Sequence, residues 1–331
     1  MYLFREKFKV ELSESQIKVL LNAASRHNHN DFLDLADFSL LVTSAKAQKG
    51  KAKRFLYTIA DSIISKTERP LVHTYIDEYN CLPPPIFILL ISLTQVLVFL
   101  WYISGKHDDP MNYCAGCWIS GNVGPFLFAP PLRHQVWRFF TYQFLHQGLL
   151  HLLPNLVFQL LIGIPLELVH KSWRIAPIYL LAVLLGSLLQ YTLDPSVYLI
   201  GCSAGVYALI AAHLSNVIIN WAEMPYRHMR LAVITVFIAF DLGTTVYRRF
   251  QEDKCDRISY TAHIAGIVTG LLMGIVILHN LEILNWERFL MLASLVTYLA
   301  IFIFVITMVV FVEPFSKPIW DSSKCFLHSY D

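Results

Sequence analysis

Continuous apolar runs at residues 84–104, 148–169, 175–193, 201–220, 230–247, 260–280 and 289–312 constrain this chain more than any other feature. A helix advances about 1.5 Å per residue, so about 20 apolar residues cross a hydrocarbon core. A transmembrane barrel needs short alternating segments instead, and these runs do not alternate. In lipid each backbone polar group must be satisfied inside its own segment, which leaves helices as the solution. The sequence therefore predicts an all-α polytopic membrane protein with seven transmembrane helices. Composition agrees: 56% of residues are hydrophobic and 15% charged. A formal net charge of +2, without a basic run interleaved with aromatics, excludes nucleic acid as a partner.

Residues 1–83 are polar and lack the apolar core of a cleavable signal peptide, so the first span doubles as the insertion signal. Of 26 Lys and Arg, 12 fall in this region, and the positive-inside rule places it in the cytosol. The loop Tyr247 to Arg257 runs against the rule by facing outward with four positive charges. Three parts are expected: a small helical cytosolic region at 1–83, a membrane domain at 84–312, and a short outward-facing tail at 313–331. Within the first part, Arg26 to Asp37 follows a twelve-residue calcium-loop pattern, with Asn28, Asn30, Asp34 and Asp37 at ligand positions. Arg26 replaces the first acidic ligand and Asp31 the turn glycine, so the loop is read as degenerate, without Ca²⁺.

Polar groups in membrane helices are costly and mark candidate functional positions. Three clusters stand out: "HQGLLHLLPN" with His146, His151 and Asn155, "GCSAGVY" with Ser203 and Tyr207, and "SYTAHIAG" with His263. The second, fourth and sixth spans all run from outside to inside, and each cluster lies near the start of its span. All three therefore belong to one membrane face. Ser203, between Gly201 and Gly205 at a helix start, combines a nucleophile with free backbone N–H groups. His263 tops a face made by Gly266, Gly270 and Gly274, where another helix can approach closely. If that neighbour is the fourth span, His263 comes within reach of Ser203 as a general base, and Tyr207 within stacking distance of the ring. His151 and Asn155, four apart on one face, offer donors for an oxyanion.

Other readings of these residues are weaker. Small residues such as serine also serve helix packing. A zinc site at His146, His151 and His263 lacks a carboxylate or Cys at motif spacing and leaves the G-x-S-x-G pattern without a role, so no metal and no cofactor is expected. Asp241, in the fifth span, is read as a packing group bonded to Thr244 or Thr245 rather than as an orienter of His263. The outer segment 105–142 holds Cys114 and Cys117 in "CAGCW", where a disulfide or free thiols are the candidates and the spacing does not decide between them.

Taken together, "VWRFFTYQFLHQGLLHLLPN", "GCSAGVYAL" and "AHIAGIVTG" resemble the W-R, H-x-x-x-N, G-x-S-x-G and A-H-x-x-G-x-x-x-G motifs of the rhomboid intramembrane serine proteases. The resemblance covers about residues 84–312. It implies a six-helix core plus a seventh C-terminal helix, as in the rhomboid-related, secretase-type animal members, some of which carry EF-hand-like N-terminal regions. It also implies a Ser203–His263 dyad, an oxyanion site from His151, Asn155 and the Ser203 N–H with Gly201 shaping the turn, and Tyr207 stacked on His263. Trp137, Arg138, His146 and Glu167 match fold-supporting positions. The implied activity is cleavage in or beside the transmembrane segment of single-pass proteins, epidermal-growth-factor-like ligands among them. It would take place in the secretory pathway or plasma membrane, with the active site facing the lumen or outside. The rival is a non-catalytic rhomboid-like protein that binds membrane clients for trafficking or degradation. Pro154 removes a backbone donor beside Asn155, which leaves the aim of that amide open.

Overall fold

A computed structural model of the chain describes residues 84–104, 111, 114, 116–119, 122–195, 198–224, 226–249, 259–281 and 283–313. The 1–83 region with its loop at Arg26 to Asp37, most of the basic loop after Arg249, and the tail from residue 314 lie outside the described residues, as do Cys81, Cys255 and Cys325. The chain divides into two compact units, Met1–Tyr79 with Trp221–Tyr226, and Asn80–Asn220 with Arg227–Asp331.

All seven expected helices are present: α1 Ile86–Ile103, α3 Gly148–His170, α4 Ser172–Leu193, α5 Ser203–Ile219, α6 Arg227–Arg249, α7 Tyr260–Ile277 and α8 Asn285–Phe311. Six of them are long and apolar enough to cross a membrane, and the chain is an integral multi-pass membrane protein. The exception is α5, where the sequence predicts a span at 201–220 and the helix covers 17 residues. At about 1.5 Å per residue it is about 26 Å long, short of a hydrocarbon core of about 30 Å. It can be short because it does not face lipid. Nearly every residue from Ala204 to Ile219 is buried, with α7, α4, α3 and α6 packed around it. By contrast, α1, α6 and α8 expose Leu93, Leu97, Val236, Phe240, Phe289 and Ile303, side chains that lipid solvates and water would not.

The backbones of α5 and α7 meet at close range. A Cβ added at Gly266 would lie 2.3 Å from the Ala204 carbonyl oxygen, one at Gly270 2.2 Å from that of Ala208, and one at Gly274 2.7 Å from Ser215 Oγ. The two helices therefore run parallel, backbone against backbone, because three glycines one turn apart leave no side chain between them. Ser215 Oγ adds bonds to the carbonyls of Gly270 (3.1 Å) and Leu271 (2.8 Å).

At the other end of the bundle Glu167, near the close of α3, caps α1. Its carboxylate accepts from the backbone N–H groups of Phe87 (2.7 Å) and Ile88 (2.9 Å), two of the donors that a helix start leaves unpaired. Ser172 Oγ donates to the same carboxylate. Pro85, just before α1, needs no N–H there.

The segment between α1 and α3 carries short elements that its lack of periodicity conceals. Trp118–Ile119 (β1) pairs antiparallel with Asn122–Val123 (β2), a 3₁₀ turn covers Pro130–Leu132, and α2 covers Arg138–Thr141 before a second 3₁₀ turn at Tyr142–Phe144. Cys114 and Cys117 lie side by side with their Cα atoms 5.5 Å apart, paired as the disulfide reading of "CAGCW" requires. Arg133 reaches from this segment to α8, donating to the carbonyls of Val309 (3.0 Å) and Val312 (2.6 Å), and to the Tyr191 hydroxyl.

Candidate functional site

The approach to Ser203 is held by backbone pairing with the outer segment. Phe128 and Leu199 exchange both N–H···O bonds (3.3 and 3.0 Å), and Gly201 N donates to the Tyr142 carbonyl (3.1 Å). Trp137 and Arg138 hold the other side of that pairing. Trp137 Nε1 donates to the Pro125 carbonyl (3.1 Å), and buried Arg138 donates to the carbonyls of Gly124 and Leu127 and, through Nε, to Gln135 (2.6 Å). Thus two side chains far from Ser203 in sequence set the strand-like stretch from which its helix starts.

At Gly201 the backbone turns with φ of +93°, a region that an L side chain rarely adopts. The space where a Cβ would stand is filled by His151, whose Cε1 and Nε2 would lie 2.7 and 2.9 Å from it. His151 Nδ1 accepts from Gln147 N at 3.4 Å. In the neutral ring the proton then sits on Nε2, the atom against Gly201, so the ring presents a donor at the start of α5. Ser203 is the first residue of α5, and the N–H groups of its first turn have no partner within the helix. Gly205 has a different role: a Cβ there would lie 2.3 Å from the Tyr179 ring, so this glycine serves close packing on α4.

His263 lies in the first turn of α7 and is 8% exposed. Its ring stacks on Tyr207 with centroids 4.2 Å apart and 24° between the planes. Tyr207 Cβ faces Gly266, and its ring leans back toward the start of α5 to meet His263, the direction in which helical side chains incline. Among the described residues His263 Nδ1 has no hydrogen-bond partner, and no carboxylate among them, Asp241 included, bonds that atom. Asp241 takes part in a local bond through its backbone, its carbonyl accepting from Thr244 Oγ1 at 2.9 Å. Among the described residues no hydrogen bond joins Ser203 to His263.

The parallel register also sets depth. Ala204 lies level with Gly266, so Ser203 lies level with Ala265, five residues into α7, or about 8 Å along its axis. Each in the first turn of its helix, Ser203, His151 and His263 converge from α5, α3 and α7.

Asn155 stands apart from this convergence in one respect. Its amide donates to the His151 carbonyl at 2.8 Å, back along its own helix, which leaves one of its two N–H bonds for another acceptor. His146 packs beneath, its Nε2 3.3 Å from Cys202 Sγ and its ring edge-on to His151 at 5.3 Å between centroids. Burial, with His151 adding to it, pushes the His146 imidazole down to about 3, so it is neutral at physiological pH. Among the described residues no three of His, Cys, Asp and Glu converge in a way that would hold a metal ion.

Sequence reasoning missed Gln190. Buried at the end of α4, its Oε1 accepts from Ser259 Oγ (2.5 Å) and from Thr261 Oγ1, while Ser259 Oγ caps α7 by accepting from Ala262 N at 3.2 Å. The start of α7, two residues before His263, is thereby fixed to α4. An amide in an otherwise apolar span was the available signal.

The family description "Rhomboid domain" matches residues 133–280. The chain is 46% identical over 324 residues to "Rhomboid-related protein 1" of Caenorhabditis elegans, an alignment that covers 97% of this chain and 90% of the relative. It is 37% identical over 263 residues to "Rhomboid-related protein 2" of Mus musculus, covering 76% and 84%. "Inactive rhomboid-related protein 2" of Caenorhabditis elegans is 35% identical over 248 residues, covering 74% and 68%. The matched span holds every residue of the convergence around Ser203, and the chain belongs to the rhomboid family, in its animal rhomboid-related branch.

Proposed function

We propose that this protein is an intramembrane serine endopeptidase that hydrolyses peptide bonds in or beside the transmembrane segment of single-pass membrane proteins. What supports the reading is His263 stacked on Tyr207, one turn along the buried short helix that Ser203 begins, with His151 pressed on Gly201 two residues before that serine. His263 accepts the Ser203 hydroxyl proton as Oγ attacks the scissile carbonyl carbon. The oxyanion is received by the Ser203 backbone N–H, His151 Nε2–H and the spare Asn155 N–H, the α5 N-terminus favouring the same charge. Collapse of the tetrahedral intermediate expels the amine, which takes the proton from His263. Water, deprotonated by the same ring, then releases the acyl group and restores Ser203. The pair is the third-member-free form of the triad logic, with Tyr207 stacking in the place of an orienting carboxylate. A hydroxyl and base not yet bonded in the free enzyme are compatible with this role, since such bonds tighten in the substrate complex.

Depth supports the proposed substrate class. A site about 8 Å below the start of α7 meets a substrate helix near its end, where Gly, Ser or Pro residues expose a peptide bond. The charge bias supports a cytosolic N-terminus and a site open to the lumen or outside. Release of growth-factor-like ectodomains fits that geometry of access.

A second reading has its own support: one relative carries the word "inactive" in its name, and no Ser203–His263 bond occurs among the described residues. On it, the same fold binds membrane clients without cleaving them. Cleavage of a model transmembrane substrate by wild type, Ser203→Ala and His263→Ala at matched expression separates the two. Product from wild type alone is expected, and fluorophosphonate labelling of wild type but not Ser203→Ala. Equal product from all three ends the protease reading; client capture without product favours the second.

A further inference from the structure

Four polar side chains that the proposed reaction does not use lie buried behind Ser203. Ser92 and Gln95 on α1, Gln159 on α3 and Tyr179 on α4 are closed off, with Gln95, Gln159 and Tyr179 at 0% exposure. Gln159 Nε2 donates to Ser92 Oγ (2.6 Å) and to Gln95 Oε1 (3.0 Å). Gln95 Nε2 donates to the Tyr179 hydroxyl (3.1 Å), which in turn donates to Gln159 Oε1 (2.8 Å). Donors and acceptors thus close into a ring across three helices, the condition under which a buried polar network is rigid rather than a liability.

Tyr179 is where this ring touches the site. Its phenol lies against Gly205, with Cε2 and Cζ 2.3 and 2.4 Å from where a Cβ would stand. Phe87 supports the ring edge-on, with centroids 5.5 Å apart. Tyr179 therefore packs on the residue two after Ser203, in the first turn of α5. A phenylalanine would fill the same volume. What the hydroxyl adds is a fixed orientation, transmitted from α1 and α3 to the first turn of α5.

We propose that Tyr179 is a positioning residue for Ser203: held by Gln95 and Gln159, it sets the first turn of α5 against α4 so that Ser203 Oγ faces His263. The proposal rests on the serine-protease reading above. A displacement of about 1 Å at a reacting centre lowers rates by about 10²-fold, so a modest loosening of this turn is readable in kinetics.

The test uses the full-length protein in detergent or liposomes, with fluorophosphonate labelling of Ser203, cleavage kinetics on a model transmembrane substrate, and thermal unfolding measured together. Tyr179→Phe is expected to lower the labelling rate and kcat about tenfold or more, with KM within about twofold, because substrate binding does not involve the network. It also orphans the two glutamine side chains and lowers Tm. The quadruple variant Tyr179→Phe, Gln95→Leu, Gln159→Leu, Ser92→Ala removes every member of the network, so its Tm is expected to recover, since replacing both members of a buried pair by apolar groups is close to neutral. Its labelling rate is expected to stay low. Labelling that recovers together with Tm, or a Tyr179→Phe rate equal to wild type, overturns the proposal. Should wild type label no better than Ser203→Ala, the protease reading itself fails, and the positioning proposal with it.

Discussion

Substituting Gly270 by alanine tests whether the backbone contact between α5 and α7 governs the geometry at Ser203. Gly270 lies more than a turn below His263 and touches neither it nor Ser203. Its added Cβ would stand 2.2 Å from the Ala208 carbonyl oxygen, and ordinary contact begins near 3.4 Å, so the helices must part by about 1.2 Å. The obstacle is backbone, so no rotamer change relieves it, and trimming the Ala208 side chain does not help. Overpacking of this kind costs about 1–3 kcal/mol. Alanine returns about 1 kcal/mol through its better helix propensity, which leaves a net loss of up to about 2 kcal/mol. Rate is the more sensitive readout. A separation of that size between the helices carrying Ser203 and His263 predicts a fall of about 10²-fold in probe labelling and cleavage. Gly243→Ala in α6 is the control, because nothing lies within 4 Å of its added Cβ. It is expected to label like wild type and to be as stable or slightly more so. Thermal unfolding in detergent and Ser203 labelling rates, measured on both variants and the wild type, provide the comparison. If Gly270→Ala matches Gly243→Ala in both, the glycine face does not control the spacing.

Two further outcomes concern stability. Glu167→Gln removes the charge that receives the N–H groups of Phe87 and Ile88, and is expected to lower stability by about 1–3 kcal/mol without abolishing Ser203 labelling in the folded fraction, as thermal unfolding and labelling would show. His146 titrates near 3 when folded against an ordinary 6.5, so between those values the unfolded chain binds more protons and stability falls as pH drops, by up to about 1.4 kcal/mol per pH unit. His146→Asn is expected to flatten the stability–pH curve between about pH 3 and 6.5 by that one-proton slope, measured by unfolding at a series of pH values.

The helices were legible because lipid leaves no other way to satisfy a backbone, and their apolar runs are continuous in the chain. Boundaries moved by a few residues, as at α8, expected over 289–312 and found at Asn285–Phe311, since helical hydrogen bonding continues past the apolar stretch. The Gly266, Gly270 and Gly274 face was legible for the same reason: its period lies within one helix. The length of α5 was not, because a helix walled in by others is released from the membrane's thickness, and nothing in "LIGCSAGVY" says who its neighbours are.

Ser203, His263, His151 and Asn155 could be singled out from sequence as candidates because a hydroxyl, an imidazole and amide or ring donors near helix starts are recognisable chemistry. What holds them in place could not. The Glu167 cap on α1 joins residues 79 and 80 positions apart, Tyr179 meets Gln95 across 84, and Gln190 meets Thr261 across 71. Each partner alone reads as a stray polar group in an apolar span. Local pattern determines which segments become helices and which residues can do chemistry, since both follow from the chain's own backbone and side chains. Which polar groups find each other was decided by the tertiary structure alone, because burial away from water makes every donor seek an acceptor wherever packing brings one.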